Sequence, residues 1–166
     1  MSRIIPTLLA SGIESYVKYS RTWMRVWGVR QEWDVPTWQN MEYDEFDNPA
    51  TTYFVWRDED RAVRGCARLY PTDHPYMLKK AFSFLVTGVL PDNDMTIWEG
   101  SRLCVDKELP APLRRRIIYD LSVAYMEYAL SNGIQKIIGV MLPVYWRSVY
   151  MASGRDPSGT PMSRSC

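Results

Sequence analysis

Glu99 and Arg102 lie three residues apart in an otherwise apolar run, Thr96-Ile97-Trp98-Glu99-Gly100-Ser101-Arg102-Leu103-Cys104-Val105. Burying either ion alone is strongly unfavourable, so a carboxylate and a guanidinium in such a run imply pairing or a chemical task. In a plain strand residues 99 and 102 point to opposite faces, because side chains alternate. Gly100, between them, is where a bulge would bring both to one face. Taken alone, such a pair is more often structural than functional. A second group of ions lies upstream in Met41-Glu42-Tyr43-Asp44-Glu45-Phe46-Asp47, closed by the turn signal Asn48-Pro49. Three readings are open for it: a solvated loop, a carboxylate site for a hard cation, or acids that orient arginines or a cationic ligand. The single histidine, His74, is distant in sequence, and no metal site is expected.

These ions need a scaffold. Residues 51–58 and 62–71 read as two strands of a hairpin around Glu59-Asp60-Arg61. On the second strand Arg64, Cys66, Arg68 and Tyr70 share one face, and Val63, Gly65, Ala67 and Leu69 the other. Arg64, at the strand's start, is expected to be solvated. Arg68 lies deeper and needs an acid, which the acidic run can supply.

Around this centre, residues 13–27 have the spacing of an amphipathic helix. Residues 29–39 are irregular and hold Trp33 and Trp38. A short helix is expected over 75–86, with Met77, Leu78, Ala81, Phe82 and Leu85 on its apolar side. The clearest helix is 111–132, with Pro112 near its start and Gly133 past its end. Its apolar stripe is Leu113, Ile117, Leu121, Ala124, Tyr125 and Tyr128. Arg114, Arg115 and Arg116 occupy its first turn, unfavourably for the helix dipole. They read as a solvated face, with an acidic partner as the alternative. Residues 135–142 form an apolar strand expected at the sheet's doubly covered centre, and 143–153 a last helix ending at Gly154. This order predicts an α/β fold, a mixed twisted sheet flanked by helices, with the strands around the long helix parallel through a right-handed crossover. One domain is expected over 1–154 and a polar, disordered tail over 155–166.

Bulk properties narrow the function classes. The 166 residues carry a net charge of +1, which gives no global case for nucleic acid or an anionic membrane surface. No apolar stretch approaches the length of a membrane span, and residues 1–12 lack the apolar core of a signal peptide. Cys66, Cys104 and Cys166 are odd in number and lack metal-site spacing, so a reduced, cytoplasmic setting is expected.

Three segments, in order, carry a resemblance. They are Glu42-x-Asp44-x-Phe46-Asp47; Gly65-Cys66-Ala67-Arg68-Leu69 with Pro71-Thr72 and Pro75-Tyr76-Met77-Leu78; and Ile97-Trp98-Glu99-Gly100-Ser101-Arg102. Together they resemble the acyl-homoserine lactone synthases, the LuxI-type autoinducer synthases, from about Val26 to Gly154. The resemblance implies a single domain similar to the GNAT acetyltransferases. It implies acyl transfer from acyl carrier protein or coenzyme A to the α-amine of S-adenosylmethionine. Lactone closure then releases methylthioadenosine, with S-adenosylmethionine a substrate and no tightly bound cofactor.

On this resemblance Asp44, Asp47, Arg68, Glu99 and Arg102 match the family's polar cluster, with Glu99 the expected base and Arg102 also on the cofactor side. Trp33 and Phe82 match aromatic residues near S-adenosylmethionine, and Arg25 and Trp27 stand near a first-helix arginine and aromatic. The acyl chain is expected along residues 137–142, with Gly139, Met141 and Leu142 lining it; no threonine stands there, which suggests an unsubstituted chain. The family continues where this sequence turns polar after Gly154, so a C-terminally incomplete domain with reduced stability and activity is expected.

Two other readings compete. One is a synthase-like protein that only binds cofactor or carrier protein. The other is an acetyl-CoA-dependent N-acetyltransferase, against which stands the lack of any glycine between Val105 and Arg116, where a phosphate-cradling turn would lie.

Overall fold

The computed structural model describes residues 4–8, 37–38, 41–42 and 44–140. The expected helices over 13–27 and 143–153 and the polar tail lie outside these residues. The described elements are β1 (Ile4–Leu8), β2 (Thr37–Trp38), β3 (Met41–Glu42), β4 (Thr52–Arg57), β5 (Val63–Pro71), α1 (Met77–Ala81), a 3₁₀ turn (Ser83–Leu85), β6 (Ile97–Val105), α2 (Ala111–Ser131) and β7 (Lys136–Ile138). Five strands form one sheet in the order β1-β4-β5-β6-β7, and β2 and β3 form a separate two-stranded ribbon. The first three pairings are antiparallel, while β6 and β7 are parallel across α2, as expected.

The hairpin forms because its two runs are β-branched and aromatic and the intervening turn is polar. Arg61 takes the left-handed conformation there, with φ 61°. Alternation then divides the buried side chains. Phe54, Trp56, Ala67 and Leu69 face α2 and pack with Ile117 and Leu121. Tyr53, Val55, Cys66 and Cys104 form a cluster on the other face. Cys66 and Cys104 are cross-strand partners with sulfurs 3.3 Å apart, and they behave as small buried hydrophobes. A third cluster, Phe46, Tyr70, Tyr76 and Leu78, joins the acidic loop to α1.

Several expectations change. β1 was not legible: its Ile-Ile-Pro-Thr-Leu run is short and holds a proline, which a strand at the end of a sheet order tolerates. Trp38, expected in irregular chain, belongs to β2. β7 ends the sheet order among the described residues instead of lying inside it, and Gly139 and Val140 beyond it are exposed.

The short helix covers only 77–81, and Ala81 and Leu85 of its expected apolar side are exposed. Only Leu78 within it is buried, because the helix is too short for its last turn to reach the core. Leu113 is exposed at the start of α2, while the rest of the stripe packs inward. Val63 packs with the Cys66 cluster, against strict alternation. Arg57 pairs with Val63 and Trp56 with Gly65, so Arg64 is an extra residue that shifts the face. Arg64 is bound by Asp58 at 2.7 Å and Asp106 at 3.0 Å, where solvent was expected.

Candidate functional site

The centre of the site is Arg68, whose side chain is fully buried on β5. A buried guanidinium is tolerable only if its donors are met. Its Nη1 donates to Asp44 at 2.9 and 3.1 Å and to Asp47 Oδ1 at 2.9 Å. Its Nε donates to Ser101 Oγ at 2.9 Å, and its Cζ lies 5.9 Å from the centre of the Phe46 ring.

The acids reach Arg68 because their loop is folded on itself. Phe46 N donates to Asp44 Oδ1 at 2.9 Å, Asp44 N to Asp47 Oδ2 at 2.8 Å, and Thr51 Oγ1 to the Phe46 carbonyl at 2.5 Å. Asn48 ties the same loop to the Tyr70 hydroxyl at 3.0 Å. Asp44 and Asp47 of the acidic run therefore orient arginines, while Glu45 is exposed and pairs with Lys80. Among the described residues no cluster of acids, histidines or cysteines is built for a metal ion.

Arg102 arrives from the neighbouring strand through a bulge. Arg68 pairs with Ser101 and Cys66 with Cys104, so Ala67 faces two residues, 102 and 103. The bulge sits at Arg102, not at Gly100 as the sequence suggested. Arg102 itself takes a left-handed φ of 54°, a conformation that is costly for a residue with a side chain. That turn puts its guanidinium on the Arg68 face, with Nη2 2.5 Å from Asp44 Oδ2 and 3.4 Å from Asp47 Oδ2. Burial alone would raise the Asp44 carboxyl; Arg102 and Arg68 outweigh it and hold Asp44 below the usual carboxylate range.

Glu99 and Arg102, expected as a pair, have separate partners. Glu99 is fully buried and accepts the backbone N–H of Met77 at 3.0 Å and of Leu78 at 2.6 Å. These are orphan donors of α1, whose own N-cap residue, Tyr76, supplies no side-chain acceptor. Burial pushes the Glu99 carboxyl up, against the opposing pull of the two amides and of Arg68. Tyr53, which the sequence did not single out, donates its hydroxyl to Asp47.

Five expected residues thus converge: Asp44, Asp47, Arg68, Glu99 and Arg102. Phe82 packs, half-buried, at the edge of the Tyr70–Tyr76–Leu78 cluster. Gly139 lies against the Gly100 backbone, where a Cβ would stand 2.3 Å from the Gly100 carbonyl oxygen. Arg25, Trp27, Trp33, Met141 and Leu142 lie outside the described residues. Sequence reasoning missed Ser101, Tyr53 and the two α1 amides. Ser101, Met77 and Leu78 left a trace, as members of the segments that carry the resemblance, while Tyr53 left none.

A family model described as autoinducer synthase matches residues 17–160. The chain belongs to the autoinducer synthase family. An acyl-homoserine-lactone synthase of Ralstonia solanacearum is 32% identical over 136 residues, covering 79% of this chain and 66% of the relative. One of Aliivibrio fischeri is 35% identical over 118 residues, covering 70% of this chain and 61% of the relative. This member of the family therefore spans about two thirds or less of the length of these relatives.

Among solved structures, the AHL synthase LasI is similar with a TM-score of 0.77 at 25% identity, over 94% of this chain and 78% of its own. TofI, solved in a ternary complex with an inhibitor and MTA, gives 0.74 at 25% identity over 89% and 76%. BjaI, a CoA-dependent synthase solved with SAM and isopentyl-CoA, gives 0.72 at 26% identity over 87% and 68%. An N-acetyltransferase fold from Lactobacillus plantarum, at 16% identity and a TM-score of 0.55, shares the fold alone. The autoinducer synthase sheet and its flanking helices are therefore GNAT-like. No described helix is long and apolar enough to cross a membrane.

Proposed function

We propose that this chain is an acyl-homoserine-lactone synthase acting on S-adenosylmethionine and an acyl thioester. The observation that carries the reading is the buried Arg68–Asp44–Asp47–Arg102 cluster, open to solvent chiefly at Asp44, whose side chain is 23% exposed. An acidic edge held by two arginines suits a sulfonium substrate that also bears an ammonium and a carboxylate. Asp44 meets the cationic amine, and Arg102 brings its positive charge to the carboxylate.

The amine must lose a proton before it attacks the thioester carbonyl. Glu99 is the proposed base, its raised pKa supporting the role. Each of its oxygens accepts one amide and retains a second lone pair, so a water can relay the proton. Attack forms the amide and expels the carrier thiol. The methionyl carboxylate then attacks its own γ-carbon, the carbon–sulfonium bond breaks, and methylthioadenosine leaves with the electron pair.

In this proposal Arg25, Trp27, Trp33 and Phe82 line the S-adenosylmethionine side. An unsubstituted acyl chain lies along residues 137–142, by Gly139, Met141 and Leu142. The donor is acyl carrier protein or coenzyme A; the structure of BjaI with isopentyl-CoA supports the second within the family. No tightly bound cofactor takes part, and the proposed setting is the cytoplasm, on residues 1–154 as one domain. An acetyl-CoA N-acetyltransferase is disfavoured by the glycine-free segment that leads into α2.

The test is mass spectrometry of lactones made by the purified chain with S-adenosylmethionine and a series of acyl-CoA and acyl-carrier-protein donors. Lactone with stoichiometric methylthioadenosine is expected. Acylated methionine derivatives without a ring, or acetylated amines, would overturn the reading. Calorimetric binding of S-adenosylmethionine without turnover would point to the binding-only alternative.

A further inference from the structure

Arg102 reaches Asp44 only because its backbone adopts a strained, left-handed bulge. Such a conformation persists only where its surroundings over-determine it. On the opposite face of the sheet, Tyr125 of α2 points its hydroxyl into that bulge. It donates to the Arg68 carbonyl at 2.6 Å and lies 3.3 Å from the Ser101 carbonyl. These two residues pair across β5 and β6 immediately before the register shifts. The hydroxyl therefore stands at the interruption of the ladder, on the carbonyls of the last regular pair.

The ring is fixed to make this contact. It packs edge-on against Phe54, with centres 4.8 Å apart. Its other edge fits over Gly100, where even an added Cβ would come within 3.4 Å of Tyr125 Cε2. Burial pushes the hydroxyl well above its ordinary pKa, so it stays a donor across the working pH range.

We propose that Tyr125 is a positioning residue: from the far side of the sheet its hydroxyl holds the bulge that aims Arg102 at Asp44. The functional half of this inference rests on the reading of the polar cluster as the reaction site. The structural half, bulge geometry, does not.

Tyr125→Phe removes one oxygen and keeps the ring. Acting through Arg102, it should lower kcat for lactone formation about tenfold, with KM for S-adenosylmethionine changed less than about threefold. In an Arg102→Lys background the same change should lower kcat by less than about twofold further, because coupled sites are non-additive. Leu121→Val, a core change elsewhere on α2, serves as the control for lost stability and should leave kcat within about twofold of wild type at an equal loss of Tm. Independent losses for Tyr125→Phe and Arg102→Lys, or an equal kcat loss in Leu121→Val, would overturn the proposal.

A second readout does not require turnover. In the unliganded protein, the backbone amide signals of 101–103 and the Arg102 Nε–H signal should shift in Tyr125→Phe and stay in place in Leu121→Val. Unchanged signals in Tyr125→Phe would refute the positioning role even if the chain proved inactive. Shifted signals in an inactive chain would uphold it and refute only the functional reading.

Discussion

Substituting Glu99 by glutamine tests how far this carboxylate is structural. Both oxygens accept α1 amides, from Met77 at 3.0 Å and Leu78 at 2.6 Å. Glutamine has one carbonyl oxygen and one NH₂, so one amide must face a donor. A buried N–H left unsatisfied costs about 1–3 kcal/mol. Part of this is offset, because burial already disfavours the wild-type carboxylate. A net loss of about 1–2 kcal/mol follows, which lowers Tm by about 2–8 °C at this chain length.

The pH dependence has a definite sign. A folded pKa raised above the ordinary 4.5 gives stability that is present below 4.5 and is lost as pH rises through the folded value. The gap between wild type and Glu99→Gln should therefore be widest below 4.5 and narrow above it. Calorimetry across that range, with hydrogen exchange at Met77 and Leu78, checks both points. An unchanged Tm with unchanged protection of those two amides would refute the capping argument. Glu99→Gln would then be a purely catalytic variant.

Arg68→Met leaves the two acids with one arginine fewer in a fully buried setting, and should cost about 3–5 kcal/mol, read as a lowered urea midpoint. Asp44→Asn tests the opposite sign of linkage. A depressed folded pKa gives stability that is present above the unfolded value of about 3.9 and is lost as pH falls through the folded one, so the wild-type advantage should shrink below about 3.9 in acid unfolding. Gly139→Ala drives a methyl to within 2.3 Å of the Gly100 carbonyl oxygen, and should part β7 from β6 and lower Tm by about 3–10 °C; an unchanged Tm would show that the two strands separate at no cost.

Hydrophobic period and punctuation were enough to locate the hairpin, α2 and the parallel pair around it. Ile117 and Leu121 recur on one helical face, Pro112 and Gly133 bracket it, and the residues on β5 alternate. These signals are local, and local propensity agrees with the final structure at each of them. The need of Arg68 for an acid was also legible, since a charge deep in a strand requires a partner whatever the topology.

What sequence could not supply was partner identity and direction. Arg102 seemed bound to Glu99 by proximity, yet strand geometry separates them: Glu99 closes the first turn of α1, and Arg102 closes on Asp44, 58 residues away. The bulge was assigned to the glycine because glycine tolerates strain, but its residue in the left-handed region is Arg102. Tyr125 read as one more apolar position on a helical stripe, and only the packed sheet brings its hydroxyl to the break in the ladder. Composition and spacing determine which groups must be buried and paired; the tertiary structure decides which pairs form, because backbone register and φ, not distance along the chain, set where each charge points.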